Sequence, residues 1–211
     1  MSPRVRSDWS HRPELRAHLA ANLAMATTSR DGPRGASEAP TPRRIAAVAL
    51  TLVPGHAGFT ELFVVMRASN LRDHPGQFGL PGGRVEEGED PVRAARRELD
   101  EELAVCLGVD AFVGELPATT TTSGYRIHPI VRWSEEPVLE VPAPDEVAEV
   151  FRLPLPELDA GAARAEGQGA LPVLGTTIFA PTGEILRRFR ERAMHGRDPG
   201  EGFAEPRFAW R

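Results

Sequence analysis

Gly83 to Val105 reads GRVEEGEDPVRAARRELDEELAV, and the rest of the chain is organised around it. Asp90-Pro91 starts a helix, because aspartate caps free amides and proline suits the first helical position. Val92, Ala95, Leu99 and Leu103 recur at helical spacing and form a buried stripe. Glu98 and Glu102 fall one turn apart with Glu101 beside them, so three carboxylates crowd the flank of that stripe. Their repulsion costs stability unless a cation neutralises it. Mg²⁺ or Mn²⁺ suits the task, since hard cations prefer carboxylate oxygens and also bridge phosphate oxygens. Arg97 is placed to orient a neighbouring carboxylate, and Glu89, just before the cap, is a supporting partner or a further ligand. Pro81-Gly82-Gly83 ahead of them lets a main-chain carbonyl approach a cation. The bland alternative is a solvated, charged helix face, and three acids alone leave that alternative ahead.

Composition narrows the classes. A chain of 211 residues, 41% hydrophobic, can bury one substantial core. The expected organisation is a helix and flexible linker over residues 1–42, one domain over 43–195 and a tail over 196–211. The net charge of -5 argues against a nucleic-acid or membrane-surface binder, which needs a basic field. All 25 basic residues are arginine, which removes lysine Schiff-base and P-loop lysine chemistry and leaves guanidinium forks for phosphate. Cys106 has no cysteine partner for a disulfide within the chain or for a zinc site. No run approaches the roughly twenty apolar residues that span a bilayer. His18 to Thr27 faintly resembles a signal peptide, but Asn22 interrupts a short apolar part. A cytoplasmic protein is the expectation.

Along the chain, Pro13 to Met25 reads as a helix that docks on the body or on a second copy in a homodimer, or stays mobile as chain ends do. Ile45 to Val53 and Glu61 to Met66 read as strands joined by a turn containing His56. Arg67 to Gly83 is a loop and a short strand, where Arg67, Arg72, His74 and Gln77 are candidates to contact phosphate or a nucleotide. Phe112 to Leu116, Thr119 to Thr122 and Tyr125 to Trp133 read as strands, with His128 as a packed structural histidine. Ala143 to Leu158 reads as an apolar strand turning into a short helix. Leu171 to Phe179 reads as a last strand before a helix over Thr182 to Met194, with Arg187, Arg188, Arg190 and Arg192 on its outside. Phe203, Phe208 and Trp210 in the tail are candidates for a subunit contact.

The spacing of Gly83, Glu89, Arg97, Glu98, Leu99, Glu101, Glu102 and Val105 fits G-x5-E-x7-R-E-U-x-E-E-x-G-U, where U is bulky and aliphatic. It resembles the Nudix box, departing only at Ala104, where the pattern has its last glycine. The resemblance implies a mixed β-sheet sandwiched between helices and hydrolysis of a diphosphate linked to another moiety. It further implies metal ligation by Glu98, Glu101, Glu102 and the Gly83 carbonyl, supported by Arg97 and Glu89. Glu146 enters by analogy with late acidic residues of other Nudix enzymes, as a further ligand or the base that activates water. LRDHPGQFGLPGG, preceded by Arg67, resembles the signature of the coenzyme A diphosphatase branch, with Ala68 in place of its serine, Leu80 in place of its phenylalanine and Glu89 in place of the usual aspartate. The substrate implied is coenzyme A or an acyl derivative. ADP-ribose or another nucleoside diphosphate derivative is the alternative, and a ligand-sensing Nudix module without turnover is the alternative from a different class.

Overall fold

A computed structural model of the protein describes residues 8–28, 44–71, 74–121, 123–164 and 170–198. Arg72, Thr122, the linker and the aromatic residues of the tail lie outside these residues. The main sheet has eight strands: β1 (Arg44–Pro54), β2 (Thr60–Arg67), β3 (Phe78–Gly79), β4 (Gly82–Arg84), β5 (Phe112–Glu115), β6 (Thr119–Thr120), β7 (Tyr125–Trp133) and β8 (Val147–Pro154). Its backbone order is β3-β2-β1-β7-β5, with β4 on β1, β6 on β7 and β8 on β2. β1 and β7 run parallel and the other pairs run antiparallel, so the sheet is mixed.

Alternation along β1 divides the core. Ala47, Ala49 and Val53 face helix α2 (Pro91–Leu103), whose Ala94, Ala95, Leu99 and Leu103 are buried against them. Leu50 and Leu52 face the other way, into a layer with Leu15, Leu19 and Leu23 of α1 (Pro13–Thr28). Leu155 and Leu158 of α3 (Leu155–Arg164) and Ile185, Leu186 and Phe189 of α4 (Thr182–Phe189) complete that layer. Helices thus cover both faces of the sheet, as expected.

The first helix docks on the body. Its four-residue leucine spacing puts Leu15, Leu19 and Leu23 on one stripe, and all three are buried. His18 hydrogen-bonds the Met194 carbonyl at 2.9 Å, and Asn22 donates to the Ala193 carbonyl at 2.8 Å. Leu19→Ala is expected to cost about 2–4 kcal/mol, read from urea unfolding midpoints. A mobile helix would show almost no change.

Two readings need correction. Leu171 to Phe179 is a hairpin, β9 (Ala170–Val173) and β10 (Thr176–Phe179), turning at Leu174 and Gly175 with φ of 54° and 67°. One apolar run conceals two strands here, because the left-handed turn contains a leucine as well as a glycine. The arginines of the last helix are partly buried rather than solvated. Arg188 pairs with Glu184 at 2.9 Å and donates to Thr119, while Arg190 pairs with Asp159 at 2.7 Å from the π-helical turn Arg190–Met194 that follows α4. Among the described residues, no helix is long and apolar enough to cross a membrane.

Candidate active site

The site forms where the Gly82-Gly83 strand passes under α2. The Asp90 carboxylate accepts the Arg93 amide at 2.9 Å, and Pro91 opens the first turn, so the helix starts as its sequence dictates. Gly82 pairs with Val48, and a β-carbon on it would come within 2.7 Å of the Val48 Cα. One on Gly83 would come within 2.8 Å of Glu98 Oε2. Lack of space against the β1 backbone requires glycine at position 82, whereas at Gly83 the space is taken by the Glu98 carboxylate, the movable end of a side chain.

Arg97 ties the acids together. Its guanidinium donates to Glu89 Oε1 and Oε2 at 3.2 Å each, to Glu98 Oε1 at 2.9 Å, to Glu101 Oε2 at 2.8 Å and to the Arg84 carbonyl at 3.0 Å. These bonds raise the Arg97 pKa, Glu89 contributing most. Glu89 is held below the usual carboxylate range by the same fork, and its Oε2 also accepts the Glu86 amide at 3.1 Å.

Glu102 is only 2% exposed, and among the described residues its buried Oε2 has no hydrogen-bond partner. Burial, followed by the charges of Glu98 and Glu146, pushes its pKa up to about 8, against the opposing pull of Arg67 and the Gly82 backbone. Glu98 is also raised, first by burial, with Arg97 opposing. Glu101 is 56% exposed and turned to Arg97. Among the described residues, no three acidic, histidine or cysteine side chains converge as a ready ligand set. The acids instead share a crowded field of negative charge.

Two neighbouring segments complete the field. The β2–β8 register shifts between Met66 and Arg67, and such an irregularity re-aims a side chain. Arg67 acts on Glu102 through its charge, and among the described residues its buried Nε has no hydrogen-bond partner. Glu146 sits on a turn fixed from both sides: its carbonyl accepts the Ala68 amide at 2.9 Å, and the Ala143 amide donates to the Glu102 carbonyl at 2.8 Å. Its own side chain is exposed. His74 is exposed with φ of 58°, and the Gln77 carbonyl accepts the Arg67 amide at 3.0 Å. His128 pairs with Glu115 at 2.6 Å, in keeping with a structural role.

Ala104 takes the left-handed helix-ending conformation, with φ of 54°, and its amide donates to the Asp100 carbonyl at 2.8 Å. The backbone follows the geometry that favours glycine there, so alanine carries strain without displacing a ligand. Ala104→Gly is expected to stabilise the protein by about 0.5–1 kcal/mol, because relief of the left-handed penalty outweighs glycine's added freedom when unfolded. A melting curve shows the sign.

A depression of about 340 Å³ adjoins the acids, lined by Arg44, Ile45, Arg84, Val85, Glu86 and Glu89. Beside it, Arg84 Nε and Arg44 Nη1 donate to the Tyr125 hydroxyl at 3.1 and 3.3 Å. Sequence reading passed over this trio, because its members come from three strands and meet only through the β1–β7 and β1–β4 registers.

The residues fit a divalent cation: hard oxygen donors, one of them buried without a partner among the described residues, lie beside the Gly82-Gly83 backbone.

Comparison with known proteins agrees. The model of the NUDIX domain matches residues 42–173, more than half of the chain. The chain is 37% identical over 120 residues to the uncharacterized Nudix hydrolase NudL of Enterobacter sp. (strain 638), covering 54% of this chain and 59% of that protein. The same-named protein of Shigella flexneri serotype 5b (strain 8401) is 34% identical over 121 residues, covering 55% and 60%. The chain thus spans little more than half the length of these curated relatives. Among solved structures, a MutT/nudix family protein from Enterococcus faecalis superposes with a TM-score of 0.53 at 15% identity, covering 85% of this chain and 73% of that one. The NUDIX domain of Shewanella oneidensis NrtR, complexed with ADP ribose, gives 0.52 at 16% identity, covering 80% and 97%. These structural likenesses show the fold alone. With the box residues gathered under one helix and the family model matched along most of the sheet, the chain belongs to the Nudix family.

Proposed function

We propose that the protein hydrolyses the diphosphate bond of coenzyme A or acyl-coenzyme A in a divalent-metal-dependent reaction, giving 3',5'-ADP and (acyl-)4'-phosphopantetheine. The observation that carries the hydrolytic part is the buried, unpartnered Glu102 oxygen in the field of Glu98 and Glu146. The coenzyme A part rests on the Arg67 to Gly83 signature. Glu98, Glu101, Glu102 and the Gly83 carbonyl would hold Mg²⁺ or Mn²⁺. When bound, such an ion polarises phosphorus–oxygen bonds and acidifies a coordinated water.

The chain's own residues divide the remaining work. Arg97 fixes the directions of Glu98 and Glu101 through one planar fork, with Glu89 as its anchor. Glu146 stands exposed beside the buried acids, where it accepts the proton of the attacking water. Water adds to one phosphorus in line with the departing phosphate oxygen, and the two products share the diphosphate. Arg67 offsets the charge on Glu102. His74 and Gln77, with Arg72 from outside the described residues, bind substrate. A cytoplasmic location, a small nucleotide-containing partner and a homodimer belong to the same reading.

The test is product analysis by mass spectrometry with coenzyme A, acetyl-coenzyme A and ADP-ribose, each with Mg²⁺, Mn²⁺ or a chelator. Release of 3',5'-ADP that needs metal and is lost in Glu101→Gln and Glu102→Gln supports the proposal. Turnover of ADP-ribose alone would transfer it to the nucleoside diphosphate alternative. No metal-dependent turnover of any diphosphate would favour the sensing module.

A further inference from the structure

The depression beside Glu89 has one wall that the hydrolytic reading leaves unused. Arg44 and Arg84 are both exposed, and among the described residues neither forms an ion pair with a carboxylate. Like charges do not gather without a reason, and here two guanidiniums converge on one phenol. Their carbons lie 5.5 and 5.9 Å from the Tyr125 ring centroid, and both donate to its hydroxyl oxygen. That oxygen is an acceptor for the arginines, so its own proton points away and remains available to a ligand.

The backbone explains the convergence. Arg44 pairs with Tyr125 at the start of the parallel β1–β7 ladder, and Arg84 pairs with Ala46 two residues further along β1. Side chains alternate along a strand, so Arg84 leaves β4 on the face opposite Gly83, around the strand from Glu98. Its carbonyl stays bonded to Arg97, which fixes the strand that bears it relative to the acids. The depression joins the two regions, since Glu89 lines it and also grips Arg97. Of the two carboxylates that line it, Glu86 is exposed and Glu89 is neutralised by Arg97. An anion entering is drawn to the arginine side.

We propose that Arg44, Arg84 and Tyr125 form a second anion subsite that takes a phosphomonoester carried on the nucleoside side of the scissile diphosphate. Guanidinium forks and one hydroxyl match the tetrahedral oxygens of such a group, and a dianion is what two unpaired arginines neutralise. This rests on the coenzyme A reading, because the 3'-phosphate of coenzyme A is a group of this kind and ADP-ribose lacks one. Arg44 and Arg84 then act on substrate choice, not on the chemical step. The subsite accounts for two arginines that, among the described residues, have no carboxylate partner beside the acids.

The experiment compares wild type, Arg44→Gln, Arg84→Gln, Arg84→Lys and Tyr125→Phe in two assays. Titration calorimetry in chelator measures binding of 3',5'-ADP, 5'-AMP and inorganic phosphate. Steady-state kinetics with Mg²⁺ uses coenzyme A and its 3'-dephospho form. Wild type is expected to bind 3',5'-ADP about tenfold or more tighter than 5'-AMP, with inorganic phosphate far weaker. Either glutamine variant should erase that preference. It should also raise KM for coenzyme A about tenfold, leaving kcat and the KM of the dephospho form unchanged. Arg84→Lys should fall between, since it keeps the charge and loses the fork. Equal binding of the two nucleotides by wild type, or an unaltered preference in both glutamine variants, would overturn the subsite. If wild type hydrolyses no coenzyme A but binds 3',5'-ADP in an arginine-dependent way, the substrate reading fails and the subsite stands. Unchanged melting temperatures separate a lost contact from a lost fold.

Discussion

Glu102→Gln is expected to remove nearly all turnover and at the same time to make the metal-free protein more stable. The activity should fall by about 10²–10³-fold or more, since the proposed reaction loses one of its metal-holding carboxylates. The stability gain follows from burial. Glu102 has a pKa of about 8 in the fold against 4.5 for a free glutamate, so between these values the folded state binds more protons than the unfolded one. Its favourable contribution is complete below the lower value and is lost as pH rises through the upper. In that window the slope is at most about 1.4 kcal/mol per pH unit. Glutamine cannot ionise, so the slope should flatten, and the variant should exceed wild type most clearly at the alkaline end. Urea unfolding in chelator between about pH 5 and pH 9 measures both curves. Parallel curves would mean that the carboxylate is not held dry among like charges.

Arg97→Lys is the second substitution with a large effect. Lysine keeps the positive charge but cannot reach Glu89, Glu98, Glu101 and the Arg84 carbonyl from one plane. The acids then lose their common orientation, and the expected result is a roughly 10–100-fold drop in apparent metal affinity with a comparable loss of activity. Raising the Mn²⁺ concentration should recover much of the activity, because the carboxylates proposed as ligands remain. Full activity at ordinary metal concentration would show that the fork does not direct the acids. A loss that metal does not relieve would assign Arg97 a direct part in the reaction.

Much of this site is legible in the chain because one helix carries it. A capped helix start and a 3.6-residue period fix which side Glu98 and Glu102 share, and the structure has both beside the glycine strand. Strand β7 spans Tyr125 to Trp133, as its β-branched and aromatic run suggests. Legibility ends where position depends on register between distant segments. Arg67 reads as part of a loop, and only the fold brings its charge within reach of Glu102. Arg44, Arg84 and Tyr125 are unremarkable one by one, and only pairing through β1 brings them together. The docking of the first helix shows the same limit: its leucine stripe is visible, whereas the surface that receives it is built from elements up to Met194.

That last arrangement sets an order in time. The segment Pro13–Thr28 is synthesised well before its seat, which includes Phe189 and the carbonyls of Ala193 and Met194. Contacts across more than 170 residues form only after the intervening chain is made. Helix α1 is therefore made before the sheet, and it can be seated in full only after the final helix has been synthesised.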